Sequence, residues 1–199
     1  FRHFHKYRQL PEPPYKMWYV CWDYDFFFEN IKSDWENRFL QGEYTYSERH
    51  RTYTNSVNGN MLTIKSVKSG EDDFRGAKVA AIFNDEESTK PVADECFMRT
   101  VGGGVQFFGM TSVKGFSWAV KELFEKNGQN GIEVIYMSLF DNPYISDEEK
   151  QRVVDKWKGT PWEKSRIYGI PTIVEGLVFE KFNRSIHCIP SFTPTPEWQ

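Results

Sequence analysis

The sequence predicts an α/β protein built on a parallel sheet, and three observations lead there. The apolar runs at 78–83, 105–110 ("VQFFGM") and 132–140 ("IEVIYMSLF") lack the in-and-out alternation of half-exposed strands, as strands covered on both faces do. Helical patterns over about 91–100 and 116–127 separate them, the second with Phe116, Val120, Leu123 and Phe124 on one face. Strand, helix, strand, helix, strand implies right-handed crossovers within one sheet, with helices on both of its faces.

Composition bounds what such a sheet serves. A chain of 199 residues holds one substantial core and the beginning of a second domain. Its 39% apolar and 17% aromatic content excludes a disordered chain. A net charge of -3 gives no global basic signature, so contact with nucleic acid would come from a local patch. Cys21, Cys96 and Cys188 stand far apart with no C-x-x-C pair, which suits a reducing compartment. No apolar run approaches the roughly 20 residues needed to cross a bilayer, and no signal segment opens the chain, so it reads as soluble and intracellular. Opening on Phe1 rather than Met predicts a start inside a longer polypeptide.

The first residues, "FRHFHKYRQLPEPPYK", read as a connector. His3 and His5 alternate as on a strand, but no third metal ligand is near, and a solvated edge explains them better. "MWYVCW" (17–22) follows as a short buried strand. Asp23 or Asp25 then caps a helix whose Phe28, Ile31, Trp35 and Phe39 recur at helical spacing as a core stripe. From Glu43 to Val67 the pattern is extended, with Asn58-Gly59 as a hairpin turn. There Arg49, His50, Arg51 and Tyr53 suit either a phosphate backbone or, more simply, a solvated sheet face. Ser146 with Glu149, and Thr160 with Pro161 and Glu163, mark the starts of two later helices. The tail "IPSFTPTPEWQ" is Pro-rich, as a linker is.

Chemistry concentrates at strand ends. "KVAAIFNDEES" runs an apolar strand into Asp85, Glu86 and Glu87. Adjacent carboxylates repel and resist burial, so they require bulk water or a nearby cation. In an open α/β sheet, ligands bind at the carboxyl ends of strands. An acid there can hold Mg2+ through its water shell, and the next can activate water against a terminal phosphate. An ordinary acidic turn explains the same residues equally well. The next strand end, "FFGMTSVKG", places Thr111 and Ser112 where hydroxyls can bond a phosphate or its attacking water. The competing role there is a helix N-cap, for which Ser117 is also suited. A phosphate-cradling G-x-x-x-x-G-K-[ST] loop is absent; "GNMLTIKS" (59–66) has Ile64 in place of the second glycine and an alternating strand pattern.

The order "GNMLTIKSVKSGEDDFRG", "VAAIFNDEES", "ADECFMRTVGGGVQFFGMTSVKG", "SLFDNPYIS", "RIYGIPTIVEGLVFEKF" resembles the large subunit of tailed-phage terminases, the motors that pump DNA into procapsids. The resemblance runs from about residue 15 to Trp198. It implies a P-loop NTPase-like (ASCE) ATPase core that uses ATP and Mg2+. Asp85 would be the Walker B metal acid, Glu86 the catalytic acid, Thr111 the centre of a coupling motif with Ser112 beside it, and Glu87 a bystander. Gly76 would turn the chain before the Walker B strand with positive φ, and Arg99 would touch nucleotide or, more simply, form a structural ion pair. The implied partners are double-stranded DNA, the portal protein, the terminase small subunit and further copies in a homo-oligomeric ring, at the procapsid portal in the host cytoplasm.

The departures are as specific. The family's phosphate loop would precede Phe1, and its RNase H-like nuclease would begin near "FEKFNRSIHCIPSFTPTPEW". The expected division is therefore an ATPase domain over 1–169, lacking its lysine loop, and a linker plus first nuclease strand over 170–199. Two other classes share these features: another nucleic-acid-dependent ATPase such as a helicase, and a non-catalytic DNA-binding module that keeps the fold.

Overall fold

The structure, a computed structural model, describes residues 13–38, 43–110, 117–171 and 187–188. It divides into two units, Phe1–Val113 and Lys114–Gln199. The first unit holds a six-stranded sheet of β1 (Lys16–Cys21), β2 (Tyr44–Ser47), β3 (Thr52–Asn55), β4 (Met61–Ser66), β5 (Ala81–Asp85) and β6 (Val105–Gly109). In space the order is β2-β3-β4-β1-β5-β6. β4, β1, β5 and β6 run parallel, and β2 and β3 extend the β4 side as an antiparallel meander.

β1 lies inside the sheet because its residues are apolar on both sides. Met17 and Cys21 enter one core with Phe27, Tyr53, Leu62, Ile64 and Ala81. Trp18 and Val20 enter the other with Val67, Phe74, Val79, Ile82, Val92 and Cys96. The first face is covered by α1 (Tyr24–Phe26), a π-helical turn (Phe27–Ile31) and α2 (Lys32–Arg38). The second is covered by α3 (Lys90–Thr100) and short 3-10 turns at Val67–Ser69 and Glu71–Phe74. Helices thus lie on both faces, as the apolar runs predict. Of the two candidate caps, Asp23 starts the first helix: its Oδ1 accepts from the Phe26 N–H at 2.7 Å. Phe28, Ile31 and Trp35 pack against the first core; Phe39 lies outside the described residues.

The β3–β4 hairpin turns at Asn58-Gly59, with Gly59 at φ 71°. The solvated-face reading fails for Tyr53, which is 2% exposed and donates to Glu36 Oε1 at 2.9 Å. It holds for Arg49 and His50, while the Arg51 guanidinium lies 3.9 Å from the Tyr24 ring centroid. Gly76 precedes β5 with φ 85°, the conformation its place in the motif requires.

The second unit begins with α4 (Trp118–Glu122), its N-cap at Ser117, followed by a 3-10 turn (Phe124–Lys126). The single helix expected over 116–127 is interrupted at Leu123, whose φ of -115° departs from helical values. The expected third strand over 132–140 does not form. Residues 132–138 pair with no strand among the described residues and end in a 3-10 turn (Leu139–Asp141) closed by a Ser138–Asp141 capping box. Apolar content alone does not make a strand; it also needs a ladder partner. α5 (Asp147–Trp157) starts at Ser146 with the expected capping box from Glu149. α6 (Glu163–Tyr168) begins two residues later than Pro161 suggests, with Trp162 at the N-cap position. Thr160 still contributes there, its Oγ1 accepting from the Trp162 N–H at 3.3 Å.

One glycine is dictated by packing rather than by φ. A Cβ on Gly104 would meet the Val79 carbonyl oxygen at 2.6 Å and Thr100 Cα at 2.9 Å. These atoms belong to backbone that cannot yield cheaply. Gly104→Ala is expected to lower stability by roughly 1–3 kcal/mol through overpacking. Urea unfolding of the two proteins checks this.

Candidate active site

β5 ends at Asp85, opposite Gly109 of β6. On β1, Tyr19 is in register with Phe83, so Asp85 stands two residues further along the same face. The helices that follow β1 and β5 cover opposite faces, so the carboxyl ends of these adjacent strands flank the topological switch point. The sheet places Asp85 and Glu86 at this carboxyl-end rim.

Asp85 is half-buried and close to other groups. Its carboxylate shares a face with Tyr19 of the neighbouring strand and feels the charge of Glu86. Burial pushes its pKa up, Tyr19 pulls it down, and Glu86 pushes it up again; the net direction is upward. Tyr19 is itself raised, by burial first and by Asp85 next. Burial, then the Asp85 charge, pushes the Cys21 thiol up to about 12, so this cysteine is no nucleophile. The local excess is of negative charge, which a cation would relieve.

Glu86 adopts φ 70°, the left-handed region, where a residue with a Cβ is disfavoured by roughly 1–2 kcal/mol. Its N–H donates to the Gly109 carbonyl at 2.8 Å, which holds the turn in place. That bond ties the candidate catalytic acid to the end of β6. The same two strands are joined by stacked Phe83 and Phe107 rings, with centroids 5.1 Å apart. On the opposite face Asn84, 4% exposed, donates from Nδ2 to the Phe107 carbonyl at 3.1 Å and to Gln106 Oε1 at 3.5 Å. Gln106 Nε2 passes the chain of bonds to Thr100 Oγ1 at 3.2 Å.

β6 is described as far as Met110; Thr111 and Ser112 lie outside the described residues, as do His3 and His5. Arg99 forms its ion pair, 3.4 Å from Glu95. Among the described residues no group of three or more His, Cys, Asp or Glu side chains could cage a metal. Mg2+ does not require one: it is usually held by one or two carboxylates, waters and substrate phosphates. A half-buried hard-oxygen donor with a second acid beside it fits that demand.

Sequence reasoning missed Tyr19 and Asn84. The signal for Asn84 was an amide inside an apolar run. For Tyr19 it was a hydroxyl in "MWYVCW", meaningful only once β1 and β5 are known to be neighbours.

The sheet and the helices on its two faces form a mixed α/β core, the fold carried by solved phage large terminases. A large terminase from a thermophilic bacteriophage matches with a TM-score of 0.66 and 19% identity over 92% of this chain and 47% of its own. The same protein in complex with ATP-gamma-S matches at 0.65 and 17% identity, over 91% of this chain and 46% of its own. In sequence the chain is similar to the terminase large subunit of Salmonella phage P22, 26% identical over 148 residues. That likeness covers 73% of this chain and 29% of the phage P22 protein. The chain therefore spans under half the length of the solved relatives and under a third of the curated one. No protein-family model matches it. The resemblance carried by the order of motifs is thus found again in both sequence and fold.

A raised Asp85 pKa makes a signed prediction. The native state holds this proton more tightly than the unfolded chain, whose ordinary value is 3.8. The stability involved is present below that value and lost as pH rises through the native one. Asp85→Asn should therefore raise Tm at neutral pH, without added divalent metal, and leave it nearly unchanged at about pH 3, below both pKa values. Thermal unfolding at the two pH values checks it.

Proposed function

We propose that this chain is the central part of a phage large terminase subunit, in which ATP hydrolysis drives the packaging of double-stranded DNA. The observation that carries the reading is Asp85 and Glu86 at the switch-point rim, with Glu86 bonded through its N–H to the end of β6. The likeness to the phage P22 large subunit supports it. In this reading residues 1–169 belong to the ATPase domain, and 170–199 are a linker and the first strand of a nuclease domain.

Asp85 would hold Mg2+, which when bound neutralises charge on the phosphate oxygens. Glu86 accepts a proton from the attacking water as general base. Its left-handed turn is held by the bond from its N–H to the Gly109 carbonyl. Thr111 and Ser112, one and two residues past Met110, are the candidate contacts to phosphate and attacking water, and their displacement would move the β6 end to which Glu86 is bonded. The proposed partners are the portal protein, the terminase small subunit and further copies in a ring at the procapsid portal, in the host cytoplasm.

The sequence of 1–199 contains no G-x-x-x-x-G-K-[ST], so the lysine that neutralises phosphate charge must come from elsewhere. Incubated alone with Mg·ATP, the 199-residue chain is expected to release phosphate at or near background. In a polypeptide that joins it to such a loop, Glu86→Gln should lower kcat about 10²- to 10⁴-fold, the usual loss for a general base. Nucleotide affinity should change little. Robust turnover by residues 1–199 alone, abolished by Glu86→Gln, would mean that the phosphate site is elsewhere.

A further inference from the structure

We infer that the turn joining β2 to β3, residues 48–51, is a contact for the phosphate backbone of double-stranded DNA, with Arg49 and Arg51 as its charged groups. The inference deepens the packaging reading and rests on it for the identity of the polyanion. Arg49, His50 and Arg51 are consecutive and exposed, and none forms an ion pair with another described residue. Glu48 is the one carboxylate in the turn, against two guanidinium groups. In a chain of net charge -3 such a surplus is local, which is the form a nucleic-acid contact has to take here. The turn is also well held. The Arg51 N–H donates to the Glu48 carbonyl at 3.3 Å, the His50 N–H to Ser47 Oγ at 3.4 Å, and Thr52 Oγ1 to the His50 carbonyl at 2.8 Å. Arg51 has φ 48°, and its guanidinium lies 3.9 Å from the Tyr24 ring centroid. A guanidinium held over an aromatic face loses less freedom when its planar fork takes the oxygens of a phosphate.

The register gives the turn its place. Ile64 of β4 is level with Tyr19 of β1, which is level with Phe83 of β5, and the Ile64 N–H donates to the Arg51 carbonyl at 2.8 Å. Residues 48–51 therefore lie at the carboxyl end of the parallel strands, the end that carries Asp85 and Glu86. β3 and β5 are three strand spacings apart, about 14 Å. The screening length at physiological ionic strength is about 8 Å, so carboxylates that far along the rim do not cancel the field of the turn. The rim is thus divided by charge, acids at β5 and guanidinium groups at the β2–β3 turn. A DNA phosphate is repelled at the first and attracted at the second, which holds a duplex beside the proposed hydrolysis site without its entering that site.

The test titrates the 199-residue chain into a fluorescently labelled DNA duplex of mixed sequence and follows anisotropy over a series of NaCl concentrations. The variants are Arg49→Ala, the pair Arg49→Ala with Arg51→Ala, and a control pair, Lys16→Ala with Lys78→Ala. The control removes the same charge from the amino ends of β1 and β5. Each lost phosphate contact reduces the slope of log K against log salt by about one. The expected result is a slope reduced by about one in Arg49→Ala and about two in the arginine pair, with the control pair unchanged. Arg49→Ala leaves the Arg51–Tyr24 contact in place, so its result does not depend on that packing. No binding by the unsubstituted chain, an unchanged slope in both arginine variants, or an equal fall in the control pair overturns the turn as a DNA contact. The ATPase reading fails separately, through an unchanged kcat for Glu86→Gln in the polypeptide that carries the phosphate loop.

Discussion

The parallel pairing of β1 with β5 is the constraint on which the rest depends. Its register, Met17 with Ala81 through Val20 with Asn84, decides which side chains share a face at the rim. A slip of one residue would turn Tyr19 and Cys21 away from Asp85 and send Trp18 and Val20 out of the core they share with Ile82. Burial enforces the register from both sides. The same apolar contacts that stabilise the sheet therefore set the electrostatics of the site.

Burial at the rim also has an electrostatic cost that the fold retains. Asp85 is held where ionisation is disfavoured, and Glu86 where its backbone is disfavoured. Neither arrangement contributes to stability in the chain as it stands. Under the proposed function both would become useful, since a cation at the rim would offset the carboxylate charge and the fixed turn would need no reorganisation. In this view the unfavourable features are the preparation for binding.

Much of this was legible in the sequence. Continuous apolar runs at 78–83 and 105–110 became adjacent parallel strands, because strands covered on both faces leave that pattern. Capping chemistry identified Ser146 and narrowed the first helix start to Asp23 or Asp25, because a cap is a local bond between residues three apart. What was not legible depends on partners distant in sequence. The run at 132–140 has strand composition but no ladder among the described residues, and Tyr53 looked solvated until Glu36, 17 residues away, proved to be its acceptor. Tyr19 and Asp85 are 66 positions apart by subtraction of their numbers, and only the register joins them. The hydroxyls at 111 and 112 remain what the motif order makes them, as they lie outside the described residues.

Among the described residues β6 has a neighbour on one side only, and its sequence, Val-Gln-Phe-Phe-Gly, carries no charge and no proline. Exposed edges of natural sheets are commonly guarded by lysine, proline or a bulge, because an open row of amide and carbonyl groups templates the addition of foreign strands. With none of these guards in the strand itself, protection of this edge falls to whatever packs beside it.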